Sequence, residues 1–442
     1  MPCGRCGVAR SRHERVTAVT RPDQTTPAAL AQTPGWLFLV TLAGLGMIGP
    51  FSIDTIFPAF AQLGEQWGAS EIALQQIISV YLLAFAAMSL FHGPLSDALG
   101  RRPVVIAGLV VYTAASIGCA LSPNLTVLLA FRVLQGFSAG AGQIIGRAMV
   151  RDVFADAQAQ RTMAHIAMIF GLAPALAPIV GGWVLIAGDW RGIFWFLVGL
   201  GVALLVLVIF WMPETHPAAR RSAFSARGVA HNLAEIWRLP AGRRLAVTGM
   251  LHFGGVFLYI TAAPLFVVNL LGRGEQDFWM LFVPLIGGMV AGSWVSGRLA
   301  GRLSGRRLAS IGYLISVIAG LVNLGLAALP ATHGLPWPVL MLPVLSFGVA
   351  LSFPILTLAM LDLYPTLRGA AASVQSFVST LANAVIAGLL APLLGGALWL
   401  LAAGSLGLVT SAWMLWNRHL RLTGQQPPTT PDAPAFEPTD EF

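Results

Sequence analysis

The stretch "GPLSDALGRRPVVIAG", from Gly93 to Gly108, places charge, glycine and proline between two apolar segments. Its aspartate and two arginines lie where an otherwise apolar chain changes direction, instead of being spread over a polar surface. Charge confined to a short turn between long apolar segments is typical of the loops that orient helices in a bilayer. The stretch therefore predicts a chain that crosses a membrane.

The composition excludes a water-soluble globular fold. The 442 residues are 56% hydrophobic and only 10% charged, with a mean hydropathy of +0.76, whereas roughly a quarter of a soluble chain is charged. Apolar windows of about 20 residues, long enough to cross the hydrocarbon core, recur along most of the chain. Lipid offers no partner to a free backbone amide, so each window must be a helix. We therefore expect an all-α membrane protein.

The hydropathy pattern predicts twelve spanning helices in two groups of six. They are predicted over 36–60, 73–92, 102–121, 125–150, 162–187, 191–212, 244–270, 277–298, 306–329, 337–361, 368–391 and 394–417. The connection 213–243 separates a bundle over 36–212 from a second over 244–417. A polar N-terminal tail, 1–35, and a Pro-rich C-terminal tail, 418–442, are expected to be disordered.

The arginines determine the predicted orientation. The chain carries a net charge of +8, and its arginines cluster in the two tails and in alternate loops. Such loops face the cytoplasm, so both termini and the 213–243 loop are predicted to be cytoplasmic. Placement in short loops between apolar segments argues against nucleic-acid binding, which uses a basic face or stripe.

Nothing in the sequence indicates an enzyme or a cofactor. No phosphate-binding loop is present, and the intramembrane polar residues form no nucleophile–base set. Cys3 and Cys6 form a single CxxC near His13 in the N-terminal tail, without the second ligand pair that a zinc site needs. We therefore expect no metal site.

The second half repeats the opening stretch imperfectly as "GRLAGRLSGRRL", Gly297 to Leu308, with Gly301 in the place of Asp97. The first copy resembles the loop 2–3 signature of the major facilitator superfamily, carried here by Gly93, Asp97, Gly100, Arg101 and Arg102. The resemblance implies two halves that rock about a central cavity. The glycines would let helix 2 end, and the charges would form a latch in one conformation; fixing the topology is the alternative role.

Three further stretches narrow the family. "RVLQGFSAGAG", Arg132 to Gly142, resembles the helix 4 signature of proton-coupled antiporters, and "GLAPALAPIVGGW", Gly171 to Trp183, resembles their helix 5 motif. The helix 5 residues are Pro174, Pro178, Gly181 and Gly182. "GRAMVRDVF" (146–154) and "DWRGIFWFL" (189–197) resemble the bicyclomycin/chloramphenicol-resistance (Bcr/CflA) group of drug:proton antiporters. This resemblance implies a monomer in the bacterial inner membrane.

Asp54 and Arg132 are the predicted proton-coupling pair. Asp54 lies inside predicted helix 1, four residues before Pro58, where an ionised carboxylate is costly and should face the bundle interior. Its alternative role is that of a ligand at a helix break. Arg132 keeps its charge within helix 4 and needs a polar partner; the resemblance implies that it adjusts the proton affinity of Asp54, and a structural link between helices is the alternative.

Four polar residues are predicted to line a substrate cavity: Gln135, Gln143, His252 and Tyr259. Helix packing is the alternative for each of them. Together the patterns favour a proton-coupled exporter of hydrophobic, drug-like molecules. A specific transporter of amino acids, sugars or purines is the alternative on the same fold, and a membrane sensor or scaffold that has lost transport is the alternative of another class.

Overall fold

The computed structural model describes residues 35–154, 156–221, 223–299, 302–364 and 368–424. Cys3, Cys6 and His13 lie outside these residues, as do both predicted tails apart from their membrane-proximal ends. Eleven helical segments of the described residues are long and apolar enough to cross a membrane. The remaining predicted span, 162–187, corresponds to a helix over Asp156–Ala187, whose described apolar stretch is Leu172–Ala187.

The helices are numbered in chain order. In the first half they are α1 (Gly35–Asp54), α2 (Phe60–Trp67), α3 (Glu71–Leu99), α4 (Arg101–Ala120), α5 (Leu125–Val153), α6 (Asp156–Ala187) and α7 (Arg191–Trp211). A connecting helix α8 (Ala226–Arg238) follows. The second half contains α9 (Pro240–Thr261), α10 (Trp279–Leu299), α11 (Gly305–Ala328), α12 (Trp337–Leu340), α13 (Leu342–Leu363), α14 (Arg368–Val385), α15 (Ala391–Leu394) and α16 (Leu398–Gly424). Short 3-10 turns occupy Phe57–Ala59 and Pro330–Thr332, and π-helical turns occupy Leu265–Leu270 and Ile386–Leu390.

The first predicted span is broken rather than continuous. Pro58 cannot donate a backbone hydrogen bond to the carbonyl four residues earlier, and its ring clashes with that carbonyl. That carbonyl belongs to Asp54, and α1 ends at this residue. After a 3-10 turn, α2 continues in the same span to Trp67 and ends at Gly68, whose φ of 59° is left-handed.

The predicted end of helix 2 at residue 92 is wrong. The helix α3 runs through Gly93, Pro94 and Asp97 to Leu99, and it packs against α5; the Ser96 hydroxyl donates to the Gly93 carbonyl within this stretch. Gly100 alone joins α3 to α4, with a φ of 103° that only glycine adopts readily. The loop is therefore a one-residue junction.

The connection between the two halves contains a helix that the sequence analysis did not anticipate. In α8, apolar residues Val229, Leu233 and Trp237 recur at intervals of four, which is the pattern of an amphipathic helix. Its Ile236 is buried, and the Ile236 carbonyl accepts a 2.7 Å hydrogen bond from the Tyr364 hydroxyl. The helix is thus attached to the end of α13.

Candidate functional site

Asp54 is buried at the point where the first span breaks. Only 3% of the residue is exposed, and its Oδ1 has no hydrogen-bond partner among the described residues. As the last residue of α1, its side chain also lies at the negative end of a helix dipole. Both conditions make an ionised carboxylate costly and a neutral acid cheaper. The site can therefore hold a proton.

Arg132 lies on α5 and is completely buried. Its Nε donates to the Ile77 carbonyl at 2.9 Å, and its Nη1 donates to Gln135 Oε1 at 2.7 Å. The guanidinium also lies 4.5 Å from the centre of the Tyr81 ring, a cation–π contact. Its Nη2 has no partner in the described part of the chain. The described ion pairs do not join Arg132 to Asp54.

Tyr81 lies near both charged residues, and the sequence analysis missed it. The residue is fully buried on α3, and it lies within electrostatic range of both Asp54 and Arg132. Its hydroxyl has no hydrogen-bond partner among the described side chains. An aromatic residue within an apolar helix carries no functional signal by itself, so only the packing of α3 against α5 reveals this position.

Gln135, predicted to line a cavity, belongs instead to a packed polar network. Its Nε2 donates to the Ser116 hydroxyl on α4 at 2.7 Å, while its Oε1 accepts from Arg132. Nearby, the Ser52 and Tyr112 hydroxyls share a 2.6 Å hydrogen bond between α1 and α4. These bonds fix the orientation of Arg132 in the interior of the first half.

The predicted helix 5 motif brings α6 against both halves. A Cβ on Gly181 would lie 2.1 Å from the Thr55 carbonyl oxygen, and one on Gly182 would lie 3.1 Å from the Glu275 carbonyl oxygen. The approach at Gly181 requires glycine, and the approach at Gly182 leaves little room for a larger residue. Pro178 and Pro174 lie one and two turns earlier within the same helix. The motif therefore contacts the backbone immediately after Asp54 and, at the next residue, the second half.

A charge cluster surrounds the junction of α3 and α4. Arg101 Nη1 lies 2.5 Å from Asp97 Oδ1, and Arg101 Nε lies 3.1 Å from Asp152 Oδ2 at the end of α5. Glu214, just after α7, accepts hydrogen bonds from the backbone amides of Arg101 and Arg102 at 3.0 and 3.2 Å. Glu214 therefore caps the start of α4, whereas Asp97 pairs with the Arg101 side chain. These partners come from the first half and, in the case of Glu214, from the start of the connection that follows α7.

The predicted cavity residues of the second half lie in its packed interior. Both ring nitrogens of His252 form hydrogen bonds: Nε2 with the Ser316 hydroxyl at 3.0 Å and Nδ1 with the Ser352 hydroxyl at 2.9 Å. The ring also stacks on Tyr313, with 4.2 Å between the ring centres. The Tyr259 hydroxyl accepts from Asn323 Nδ2 at 2.7 Å. Gln143, on α5 of the first half, is half-buried.

Polar contacts between the halves cluster at the end of the bundle where α3 begins. The Ser79 hydroxyl donates to the Ala384 carbonyl at 2.9 Å, and Gln76 Nε2 donates to the Gly388 carbonyl at 3.0 Å. At the same end, Gln75 Nε2 donates to the Thr261 carbonyl at 3.1 Å. These bonds close the bundle at the end opposite the Gly100 junction.

Comparisons with known proteins agree with this architecture. The sequence profile of the Major Facilitator Superfamily matches residues 42–387. The chain is 28% identical to multidrug resistance protein D of Escherichia coli over 364 residues, which cover 81% of this chain and 88% of the relative. It is 27% identical to a bicyclomycin resistance protein homolog of Haemophilus influenzae over 290 residues, which cover 66% of this chain and 73% of the relative.

A comparison with solved structures agrees with the fold. The structure superposes with a TM-score of 0.67 on a bacterial homolog of the human lysosomal transporter Spinster, at 13% identity over 91% of this chain and 100% of the other. The predicted all-α fold and the resemblance to the Bcr/CflA group are confirmed by these matches. The chain is a multi-pass membrane transporter and belongs to the Major Facilitator Superfamily.

Proposed function

We propose that this transporter exports hydrophobic, drug-like molecules in exchange for protons, by alternating access, as a monomer in the bacterial inner membrane with both termini in the cytoplasm. The observation that carries the proposal is the buried carboxyl group of Asp54, whose Oδ1 has no described partner. Relatives named for multidrug and bicyclomycin resistance support a drug cargo.

Exchange follows from competition for one buried acid. The deprotonated Asp54 carboxylate favours a site that holds a cationic cargo, because an isolated charge in this environment is costly. A proton arriving from the outside neutralises the carboxylate and releases the cargo. The proton then leaves toward the cytoplasm after the transporter has reoriented, so each cycle moves the two in opposite directions.

Contacts of α6 supply a route from protonation to movement. Asp54 is followed by Thr55, whose carbonyl is in close contact with Gly181, and neighbouring Gly182 approaches the backbone of Glu275 in the second half. Protonation of Asp54 would shift the backbone where α1 ends. Because Gly181 has no side chain and packs directly on the Thr55 carbonyl, this shift would also displace α6. The displacement would then reach the bonds that close the outer end.

Drug-induced proton release from proteoliposomes tests the proposal. Asp54→Asn should reduce drug-linked proton flux by more than about tenfold, because an amide side chain does not take up or release a proton at physiological pH. Asp189→Asn is the matched control, since it removes a carboxyl group whose side chain is 58% exposed, and it should leave the flux unchanged.

Three results would contradict the proposal. Normal drug-linked proton flux in Asp54→Asn would remove this residue from coupling. Transport of a defined metabolite, without a response to any lipophilic drug, would favour a specific metabolite transporter. Binding of a protein partner without any substrate flux would favour a sensor or scaffold.

A further inference from the structure

An apolar groove lies on the second half, away from the interface between the halves. Its cavity of about 680 Å³ is lined by α8, α9, α14, the π-helical turn that follows α14, and α16. Leu233 and Trp237 come from α8, Met250 from α9, Leu381 from α14 and Leu408 from α16. Every lining residue is apolar and none comes from α1–α7. The groove is therefore separate from the space between the two halves.

The groove leaves large apolar side chains uncovered. Trp237 is 43% exposed, Leu381 is 37% exposed and Val385 is 48% exposed. In a membrane-spanning bundle, such a face is covered by lipid chains or by protein. The α14 residues Val374, Phe377, Val378, Leu381 and Val385 form one continuous helical face along it, which matches an elongated occupant better than a compact one.

The inner end of the groove is basic. Arg243 is exposed one turn before the groove residue Val247, and α8 ends at Arg238. The Nε of Arg244 is buried without a hydrogen-bond partner among the described residues. The His419 ring, at the inner end of α16, lies within electrostatic range of Arg244 and Arg306, and its Nδ1 is buried without a described partner.

These basic groups have no described carboxylate partner. The ion pairs among the described residues all lie in the first half. The α8 carboxylate, Glu235, is within electrostatic range of Tyr364 on the side of α8 that packs against α13. Positive charge thus accumulates at the end of an apolar groove, at the level where α8, an amphipathic helix, would lie in the membrane interface.

We propose that this groove binds an anionic glycerophospholipid, with an acyl chain along α14 and the phosphate at Arg243 and Arg244. The two parts of the groove match the two parts of such a lipid: an apolar face for the chain and unpaired cations for the headgroup. Basic pockets between transmembrane helices on the cytoplasmic side bind anionic headgroups by this combination. The proposal does not depend on the cargo or on proton coupling.

Native mass spectrometry of the full-length protein with added lipids tests the site. Dioleoyl phosphatidylglycerol should remain bound more strongly than dioleoyl phosphatidylethanolamine. Arg243→Gln/Arg244→Gln should weaken retention of phosphatidylglycerol by about tenfold, because each arginine near a headgroup contributes to its binding. Arg302→Gln/Arg307→Gln is the matched control: it removes the same charge from exposed positions at the start of α11 and should change nothing.

Two further measurements are needed. One distinguishes a local loss of lipid binding from misfolding, and the other distinguishes binding of a whole lipid from binding of a phosphate group alone. Leu381→Ala/Val385→Ala enlarges the groove on an exposed face and should weaken phosphatidylglycerol retention while the melting temperature stays within a few degrees. Glycerol 3-phosphate should fail to displace the lipid; displacement at equal concentration would indicate a free phosphate site and overturn the proposal. Equal retention of the two lipids, or unchanged retention in Arg243→Gln/Arg244→Gln, would also overturn it.

Discussion

The two halves of this transporter share a helical pattern and differ in how they use polar groups. The first half buries a carboxyl group and a guanidinium, Asp54 and Arg132, and it contains the described ion pairs. The second half buries neutral groups, such as His252 between two serines and Tyr259 beside Asn323. The difference teaches that duplicated architecture does not require duplicated chemistry: charge management is concentrated in the first half.

The largest expected effect is on drug-linked proton flux, and it distinguishes the positive charge of Arg132 from the geometry of its hydrogen bonds. Arg132→Lys keeps the positive charge but cannot reproduce the forked bonds to Ile77 and Gln135. Since hydrogen bonds to charged groups contribute about 1.5–3 kcal/mol, drug-linked proton flux should fall by tenfold or more. Transport assays on reconstituted protein measure this flux. Arg298→Lys serves as a control because Arg298 is exposed, on α10. Full activity of Arg132→Lys would mean that charge alone is sufficient.

The second effect tests whether the buried polar group of the second half is structural. His252→Leu removes two hydrogen bonds and a stacking contact, and hydrogen bonds between membrane helices contribute about 0.6 kcal/mol each. We expect a loss of roughly 1–2 kcal/mol in the free energy of unfolding, with the proton-to-drug ratio unchanged. Thermal unfolding in detergent and proteoliposome flux check the two parts. A changed ratio would place His252 in coupling and erase the contrast between the halves.

A smaller effect compares the starts of two corresponding helices. Glu214 caps the amides at the start of α4, whereas Ser304, before α11, makes no side-chain capping bond. Glu214→Ala should lower the free energy of unfolding by about 1 kcal/mol, as loss of a cap does. Ser304→Ala should change it by less than about 0.5 kcal/mol. Equal melting temperatures for the two variants would show that Glu214 is dispensable.

The smallest expected effect is the pH dependence of closure at the end of the bundle where α3 begins. Burial, and then the nearby Glu65 carboxylate, raise the pKa of Glu275 above its usual value. A raised pKa means that the closed structure favours the protonated form, so closure is strengthened as pH falls through that pKa and weakened as pH rises above it. Distances between spin labels across this end should therefore shorten at low pH. Glu275→Gln should reduce this dependence, and an identical pH profile in the variant would exclude Glu275 as its source.

The sequence was sufficient to predict the fold class because lipid restricts a spanning chain to few solutions. Apolar length identified the spans, and the spacing of Gly100, Arg101 and Arg102 identified the family. The position of Asp54 near a helix break was also predictable, since Pro58 follows at an interval of four. That α3 continues past Gly93 was not predictable, because packing along α5 outweighs the local preference of glycine and proline.

The partners of the charged residues could not be predicted for a related reason. Glu214 lies 113 residues from Arg101 in the chain, and no local pattern links them. Tyr81 resembles any other aromatic residue in an apolar helix. Gln135 and His252 have side chains suited equally to a cavity and to an interior bond, and only the packed neighbours distinguish the two.

The connection between the halves sets a mechanical limit on their separation. At one end, Glu214 anchors the chain to the start of α4, and the His216 amide donates to the same carboxylate at 2.8 Å. At the other end, α8 is fastened to α13 through Tyr364. Residues 217–225 join the two attachments, and at no more than about 3.6 Å per residue a chain of this length spans at most roughly 30 Å. The length of this connection therefore limits how far the two halves can separate at this end of the bundle.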